Sequence, residues 1–313
     1  MSQNIVIENT LYSLLLYWLI KTPKNTVYIL DSTIDSKVVK NIKKDNLVFV
    51  FDSKFNKNLL YRLFRVYIYE KLRLKLFLLI NRVKTLDIYG NDDLISFDIF
   101  RKERYSILED GIVNYNFTCR IKDNFFYNYI RGYRYGKPYG LSIRCKKIYL
   151  TGVKDIPKEI ESKVDIIDLK YLWDKKSIDE KEYILKLFDI DRDFLKDLTS
   201  RDTILLTQPI SEDLLCTEDE KIEIYSKIIK EYGAKNLIIK VHPREQTNYR
   251  KYFQDALIIY KPFPSELFML LNIKFKRAVT LFSTAVYSFG KDTKVVWKGT
   301  TVHPSLVKTR GVL

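Results

Sequence analysis

The sequence is short of the residues on which several common kinds of site depend. It has two histidines and three cysteines in 313 residues, and the cysteines (Cys119, Cys145 and Cys216) lie far apart with no C-x-x-C pair. A zinc-finger pattern and a disulfide framework are therefore excluded, and a reducing compartment fits this cysteine usage best. The His, Asp and Glu residues form no cluster with metal-ligand spacing, so we expect no metal ion.

Flexible and membrane-spanning segments are also scarce. Ten glycines and eight prolines argue against long flexible linkers. The N-terminus, MSQNIVIENT, lacks the basic start and apolar core of a signal peptide, and the apolar run Leu11–Ile20 is too short to span a bilayer. These absences predict a cytoplasmic protein, and they are compatible with a peripheral position on the inner face of the cell membrane.

The charge balance is strongly basic. With 54 Lys and Arg against 39 Asp and Glu, the formal net charge is +15. Such a charge indicates an anionic partner: nucleic acid, a phosphorylated or sialylated small molecule, or an anionic membrane. The basic residues are spread along the chain without a standard nucleic-acid-binding motif, so we expect no nucleic-acid partner. Residues 56–84 form a basic amphipathic helical pattern, which fits a helix packed on a sheet, contact with an anionic membrane, or a subunit contact in a homodimer.

Short apolar strands alternate with helical patterns along the chain, which is typical of an α/β fold with parallel sheets. The clearest strands of the two halves are residues 4–8, 27–30, 46–51, 105–108, 203–207, 236–241 and 277–281. Residues 152–163 have the composition of a linker. We therefore predict two Rossmann-like domains facing across a cleft, residues 1–153 and residues 154–313.

Two acids stand at the end of one predicted strand. Glu109, Asp110 and Gly111 follow residues 105–108, at the strand end where open α/β sheets bind ligands. Adjacent carboxylates repel each other, which raises the pKa of one of them and favours a general base. The glycine allows a sharp turn or the close approach of a substrate. An acidic β-turn without a catalytic role is the alternative.

Three later strand ends carry residues that suit a nucleotide monophosphate. His242 follows an apolar strand, Glu266 lies in the first turn of a predicted helix, and Ser283 and Thr284 begin another helix. Hydroxyls and free N–H groups at a helix start bind anions, a carboxylate suits ribose hydroxyls, and a histidine can donate to a leaving phosphate oxygen. The alternatives are helix capping, a favourable first-turn carboxylate and a solvated loop histidine. A second His-Pro pair, at His303, follows no comparable strand.

The ordered set of E-D-G at 109–111, K-V-H-P-R at 240–244 and F-S-T at 282–284 resembles the bacterial sialyltransferases of the lipooligosaccharide and capsule type, glycosyltransferase family 52. The resemblance implies a two-domain GT-B fold whose N-terminal domain serves the acceptor and whose C-terminal domain binds the CMP-sugar. It also implies a CMP-sialic acid donor (CMP-Neu5Ac), no cofactor, no metal ion, and inverting transfer to a terminal galactose-type hydroxyl of a surface glycan.

The resemblance also implies roles on the acceptor side. Asp110 would be the general base on the acceptor hydroxyl, Glu109 would support it, and Gly111, grouped with the donor-binding residues, would allow the turn. One departure from the family pattern is that the N-terminal strand ends in E-N-T rather than in a T-P-type turn.

On the donor side, the resemblance gives His242 to the CMP phosphate as an acid or an electrostatic stabiliser, with Pro243 shaping its loop. Ser283 and Thr284 would bind the phosphate, and Glu266 would hold the ribose. Two other functions stay open at this point. One is a different GT-B transferase of cell-surface polymers, acting on Kdo or a polyol phosphate, and the other is a basic module that binds an anion or a membrane. The acceptor glycan and the linkage formed are not predicted.

Overall fold

The structure is a computed structural model that describes residues 2–53, 63–116, 125–131, 133–198, 200–290 and 292–313. Cys119 and residues 56–62 of the basic segment lie outside these ranges. The contacts divide the chain into two compact units, Met1–Phe188 and Asp189–Leu313.

This division corrects the domain boundary predicted after residue 153. The strand Val164–Ile166 pairs in parallel with Cys145–Leu150, so it extends the sheet of the first unit. Farther along, the ring of Phe188 packs against Trp18, with ring centroids 5.0 Å apart. The chain therefore returns to the first unit after the segment that has the composition of a linker.

The first unit is built on a parallel sheet, seven-stranded in the described part of the chain, with the order β3-β2-β1-β4-β5-β6-β7. The strands are β1 (Ser2–Glu8), β2 (Thr26–Asp31), β3 (Leu47–Phe51), β4 (Lys84–Gly90), β5 (Tyr105–Leu108), β6 (Cys145–Leu150) and β7 (Val164–Ile166). The chain adds strands on one side of β1 and then continues on the other side from β4. The topological switch point of this Rossmann order therefore lies between β1 and β4.

Strands β1 and β4 approach each other closely at this switch point. Gly90 has a φ of +141°, and a Cβ added there would lie 2.1 Å from the carbonyl oxygen of Ile7. Both the backbone conformation and the space therefore require glycine. The core beneath is apolar, and β2 is buried along its whole length, as is usual for a central parallel strand.

Helices cover the sheet. They are α1 (Leu11–Ile20), α2 (Ser36–Ile42), α3 (Glu70–Ile80), α4 (Phe125–Ile130), α5 (Leu169–Lys175) and α6 (Ile178–Leu187). The predicted basic helix is confirmed from a π-helical turn at Leu63–Tyr69 through α3, but it ends at Ile80, and Lys84 already begins β4. None of the described helices, in either unit, combines the length and the apolar character needed to cross a membrane.

The second unit repeats the same plan on a smaller scale. Its parallel sheet has the order β10-β9-β8-β11-β12 in the described residues. The elements are β8 (Thr203–Leu206), β9 (Leu237–Lys240), β10 (Leu257–Ile259), β11 (Arg277–Thr280), β12 (Lys294–Trp297), α7 (Arg192–Leu198), α8 (Glu218–Tyr232), α9 (Glu266–Leu270) and α10 (Pro304–Arg310). Helix α8 begins with a capping box between Thr217 and Glu220, which satisfies two otherwise free N–H groups. The topological switch point of this second sheet lies between β8 and β11.

Candidate active site

The carboxyl ends of four neighbouring strands form one edge of the first sheet. Because the strands are parallel, residues that follow β1, β4, β5 and β6 meet at this edge. The polar residues at these ends are Glu8, Asp92, Glu109, Asp110 and Thr151. Helix α1, which follows β1, is tied to the end of β5, because the Oγ of Ser13 donates a hydrogen bond to the carbonyl oxygen of Glu109 at 2.8 Å.

Glu109 is committed to the protein interior. Its side chain is buried, and it accepts hydrogen bonds from the Thr151 hydroxyl at 2.9 Å and from the Tyr115 hydroxyl at 3.0 Å. Burial raises the pKa of Glu109, and the hydrogen bonds from Thr151 and Tyr115 oppose that rise. The sequence predicted a raised pKa at this pair from mutual repulsion, whereas burial is the main cause in the structure. Glu109 therefore links the ends of β5 and β6 and supports the turn that follows.

Asp110 is the more accessible of the two acids. It is half-buried, and its backbone N–H donates to the Asn114 side-chain oxygen. Gly111 has a φ of +72°, and a Cβ there would meet nothing within 4 Å. The glycine is therefore required by the backbone conformation of the turn rather than by a lack of space. Of the predicted acid pair, Asp110 is the one that a substrate can reach.

Glu8 is a third acid at this edge, and the sequence analysis did not identify it as a site residue. It is fully buried at the end of β1, and neither carboxylate oxygen accepts a hydrogen bond from any described residue. Burial, followed by the negative charge of Asp110, raises the pKa of Glu8 well above its ordinary value. The signal in the sequence was a glutamate that ends an otherwise apolar strand, the same E-N-T that departs from the family pattern.

His242 follows β9 at the corresponding edge of the second sheet. Its Nδ1 accepts a hydrogen bond from the backbone N–H of Arg244 at 3.2 Å, so the proton of the neutral ring resides on Nε2. Burial, reinforced by the positive charges of Arg244 and Lys240, lowers the pKa of His242 to about 4. Near neutral pH the ring is therefore an uncharged donor that presents Nε2–H.

The turn that carries His242 is held by a buried ion pair. Lys221 on α8 lies 2.9 Å from a carboxylate oxygen of Glu245, and both side chains are completely buried. Glu245 also accepts the backbone N–H of His242 at 2.9 Å and the Tyr249 hydroxyl at 2.6 Å. The position of the histidine backbone thus depends on Glu245, which the sequence analysis did not single out although it ends the motif H-P-R-E.

Lys240 was also missed, because a lysine at the end of an apolar strand resembles a solvated terminus. Its side chain is buried with the ammonium 4.1 Å from the centre of the Phe263 ring, and it forms no ion pair with a described carboxylate. Burial lowers its pKa to about 8, and the charge of Glu266 opposes that shift. The structure therefore places a buried cation near enough for its charge to act on both His242 and the predicted ribose-binding residue Glu266, which begins α9.

Ser283 and Thr284 follow β11. The Ser283 Oγ accepts the backbone N–H of Ala285 at 3.4 Å, so the predicted capping contact is present. The following element is a short 3₁₀ turn, Thr284–Phe289, instead of the predicted α-helix. A short turn aligns few peptide dipoles, so an anion here would depend on the hydroxyls and nearby N–H groups. Gln208, which follows β8, holds the backbone that leads to Ser283. Its side-chain oxygen accepts a hydrogen bond from the backbone N–H of Phe282 at 2.9 Å.

In both His-Pro pairs, Nδ1 of the histidine accepts a hydrogen bond from the backbone N–H two residues later. The surroundings of the two pairs differ. Pro243 is exposed, and the next residue, Arg244, makes a bidentate pair with Asp213 at 2.7 and 3.1 Å. His303 caps α10, where its Nδ1 accepts the backbone N–H of Ser305 at 3.3 Å. A capping role accounts for His303. Within the residues that the structure describes, no three His, Cys, Asp or Glu side chains are arranged to hold a metal ion.

Comparison with known proteins gives a family match and a relative over most of the chain. The model of glycosyltransferase family 52 matches residues 24–306. An uncharacterised protein of Haemophilus influenzae is 38% identical over 279 residues, which cover 87% of this chain and 88% of the relative.

Solved structures of the same fold include bacterial sialyltransferases. An alpha/beta-galactoside alpha-2,3-sialyltransferase of Photobacterium phosphoreum superimposes with a TM-score of 0.58 at 12% identity, covering 94% of this chain and 89% of that one. The GT-B domain of a sialyltransferase of Photobacterium damselae gives a TM-score of 0.59 at 14% identity, with the same coverage. A 2,6-sialyltransferase of a Photobacterium species, solved with CMP and lactose, gives 0.50 at 10% identity and covers 98% of this chain and 74% of that one. At these identities the likeness confirms the predicted GT-B fold.

Proposed function

The chain belongs to glycosyltransferase family 52, and we propose that this glycosyltransferase moves sialic acid from CMP-Neu5Ac to a terminal galactose-type hydroxyl of a surface glycan. The observation that carries the proposal is the neutral His242, with Nε2–H as its donor, beside the buried cation Lys240 at the carboxyl edge of a Rossmann sheet. A single phosphate needs one or two donors and a compensating charge, which this edge supplies without a metal ion.

On the donor side, the nucleotide phosphate accepts a hydrogen bond from His242 and further bonds from the hydroxyls of Ser283 and Thr284. Glu266, at the start of α9, accepts hydrogen bonds from the ribose hydroxyls. The positive charge of Lys240 compensates the negative charge of the phosphate. Pro243 holds the turn that presents the histidine ring. The Photobacterium enzyme solved with CMP and lactose supports a CMP-linked donor and a sugar acceptor.

On the acceptor side, Asp110 accepts the proton of the attacking hydroxyl as that oxygen bonds to the anomeric carbon. The bond from this carbon to the phosphate oxygen breaks, CMP keeps the electron pair, and the configuration inverts. Glu109 is too deeply buried to take this proton and instead fixes the turn at Gly111. Because one displacement inverts the configuration, the chemistry requires a base and a stabilised leaving group rather than a covalent intermediate.

Replacing Asp110 by Asn and His242 by Ala tests the proposal. Each change removes one stabilising group from the transition state, so we expect transfer from CMP-Neu5Ac to a panel of galactosides to fall roughly 100- to 1,000-fold. Asp87→Asn and His303→Gln are matched controls, because Asp87 is a partly exposed acid elsewhere in the first unit and His303 is the other His-Pro histidine.

Donor turnover separates the outcomes. Release of CMP together with a sialylated product supports the proposal, whereas turnover of CMP-Kdo alone would assign the enzyme to a different transfer. Normal turnover in either site variant would remove the role given to that residue.

A homodimer, a peripheral membrane contact and a cytoplasmic location remain predictions.

A further inference from the structure

The turn with the sequence H-P-R-E carries an ion pair that the proposed donor site does not use. Nη1 and Nη2 of Arg244 contact the two carboxylate oxygens of Asp213, at 2.7 and 3.1 Å. Asp213 lies in the loop after β8 and Arg244 in the turn after β9, so the pair lies at the carboxyl edge of the second sheet. A planar guanidinium that holds a carboxylate through two hydrogen bonds has the geometry of a carboxylate receptor.

This guanidinium lies close to the ring of His242. The backbone N–H of Arg244 donates to Nδ1 of His242 at 3.2 Å. After burial, the positive charge of Arg244 is the largest cause of the lowered pKa of His242, ahead of Lys240. Because the effect of a charge falls with distance, the carboxylate receptor and the proposed phosphate donor are neighbours.

The ion pair can open without disturbing the backbone on either side. The side chain of Arg244 is 58% exposed and that of Asp213 is 37% exposed, and an exposed pair contributes little to stability. Other contacts hold the two loops. The N–H of Asp213 donates to the carbonyl oxygen of Pro209 at 2.8 Å, and the N–H of Gln246 donates to Glu212 at 2.8 Å. Rotation of the two side chains is therefore enough to separate them.

The chemistry of the proposed donor calls for a cation at this place. The anomeric carbon of CMP-Neu5Ac bears both the phosphate oxygen and a carboxylate, so a site that binds the phosphate at His242 must also receive the carboxylate nearby. Lys240 compensates the charge of the phosphate. A carboxylate that leaves water without a partner of its own is costly, and Arg244 is the neighbouring group that already binds one.

We propose that Arg244 binds the carboxylate of the donor sugar, and that Asp213 holds the place of this carboxylate until the donor binds. Arg244 is then a specificity-determining residue, because a donor without a carboxylate on its anomeric carbon gains nothing by displacing Asp213. The inference rests on the proposed function in one respect, that the donor carries this carboxylate, and CMP-Kdo shares that feature.

Two substitutions with opposite expected effects test the inference. Arg244→Gln removes the receptor and should raise the KM for CMP-Neu5Ac roughly tenfold, with kcat little changed because the contact is made in the ground state and the transition state alike. Asp213→Asn removes the competing carboxylate and should lower this KM roughly two- to fivefold. CMP has no carboxylate, so its affinity, measured by calorimetry, should change little in either variant.

The ion pair between Arg277 and Asp202 provides the matched controls. It lies at the opposite edge of the same sheet, where β8 and β11 begin, with 3.8 Å between the charged atoms. Arg277→Gln and Asp202→Asn make the same changes of charge, and both should leave the KM for the donor unchanged. Thermal melts of the variants show whether any change reflects unfolding.

The outcomes separate the inference from the proposed function. A KM that shifts in the same direction in Arg244→Gln and Asp213→Asn would overturn the inference, because loss of the ion pair alone would then explain both. An equal loss of CMP affinity in Arg244→Gln would overturn it too, since Arg244 would then serve the phosphate. If the wild type uses CMP-Kdo instead of CMP-Neu5Ac, the proposed function fails and the same variants test the inference on CMP-Kdo. A donor without any carboxylate would overturn both.

Discussion

A titration of the His242 ring tests directly whether this histidine is the neutral hydrogen-bond donor that its contacts predict. The Arg244 N–H bonded to Nδ1 and the lowered pKa together predict a neutral ring with its proton on Nε2. With a pKa of about 4, a protein at pH 7 is 7 − 4 = 3 pH units above the transition, so about one ring in a thousand is protonated before substrate binds. His242 therefore acts as a hydrogen-bond donor toward phosphate, and a preformed imidazolium is not the acting species.

The assay is a nitrogen–proton correlation spectrum of histidine-labelled protein across a pH series. The chain has two histidines, so His303→Gln leaves the signals of His242 alone. We expect the pattern of an Nε2-protonated neutral ring from neutrality down to about pH 5, and protonation near pH 4. A ring that carries its proton on Nδ1, or that titrates at its ordinary value, would refute the assignment.

Kinetics extends the same prediction. His242→Gln retains an N–H donor at this position, so it should keep more transfer than His242→Ala, which we expect to lose roughly 100- to 1,000-fold. If both variants lost the same activity, donation from the ring would not be what the position contributes. A rate that falls as the pH rises through the pKa of a group, in a limb that disappears in His242→Gln, would also contradict the neutral-donor role, because it would mean that the protonated ring is the active form.

Three further predictions concern groups that the sequence did not reveal. Glu8→Gln should raise stability by an amount that is negligible below pH 4.5 and grows until the pH reaches the raised pKa of Glu8, because between these two values the unfolded state gains free energy by ionising Glu8 while the folded state keeps it protonated. Thermal melts across pH show this, and a constant difference would contradict it. Affinity for CMP, measured by calorimetry, should fall up to tenfold per pH unit above about pH 8 in the wild type and not in Lys240→Met, with Lys235→Met as the control. Lys221→Met should cost about 3–5 kcal/mol of unfolding free energy in urea, because it leaves the buried Glu245 unpaired. The exposed pair partner Lys227→Met on the same helix should cost less than about 1 kcal/mol.

The strands were predictable because parallel strands buried on both faces appear as apolar runs. The strand predicted at residues 105–108 agrees with β5 residue for residue, and the acids that follow it lie at the strand edge as expected. The domain boundary was not predictable in the same way. Residues 152–163 have a linker composition, and only the pairing of β7 with β6 reveals that the chain returns to the first sheet.

For the candidate site, the sequence located the strand ends that carry the predicted residues better than it described their surroundings. Asp110 and His242 stand at strand ends, which apolar periodicity locates. The environments of Glu8 and Lys240 depend on which strands become neighbours, and a single sequence does not encode sheet order in its periodicity. The pKa of Glu109 is an example, since its main cause is burial by tertiary packing rather than the adjacent acid that is visible in the sequence.

The order of strands in the second sheet has a consequence for synthesis on the ribosome. Strand β8 is made first and lies in the middle, and one of its neighbours, β11, follows about seventy residues later. Until residues 277–280 have emerged, one edge of a strand that is completely buried in the folded unit has no partner. Parallel pairing over such separations is slow compared with local pairing. We therefore expect the C-terminal unit to fold only after its chain is nearly complete, and a ribosome-bound chain that stops before β11 to be the form most in need of a chaperone.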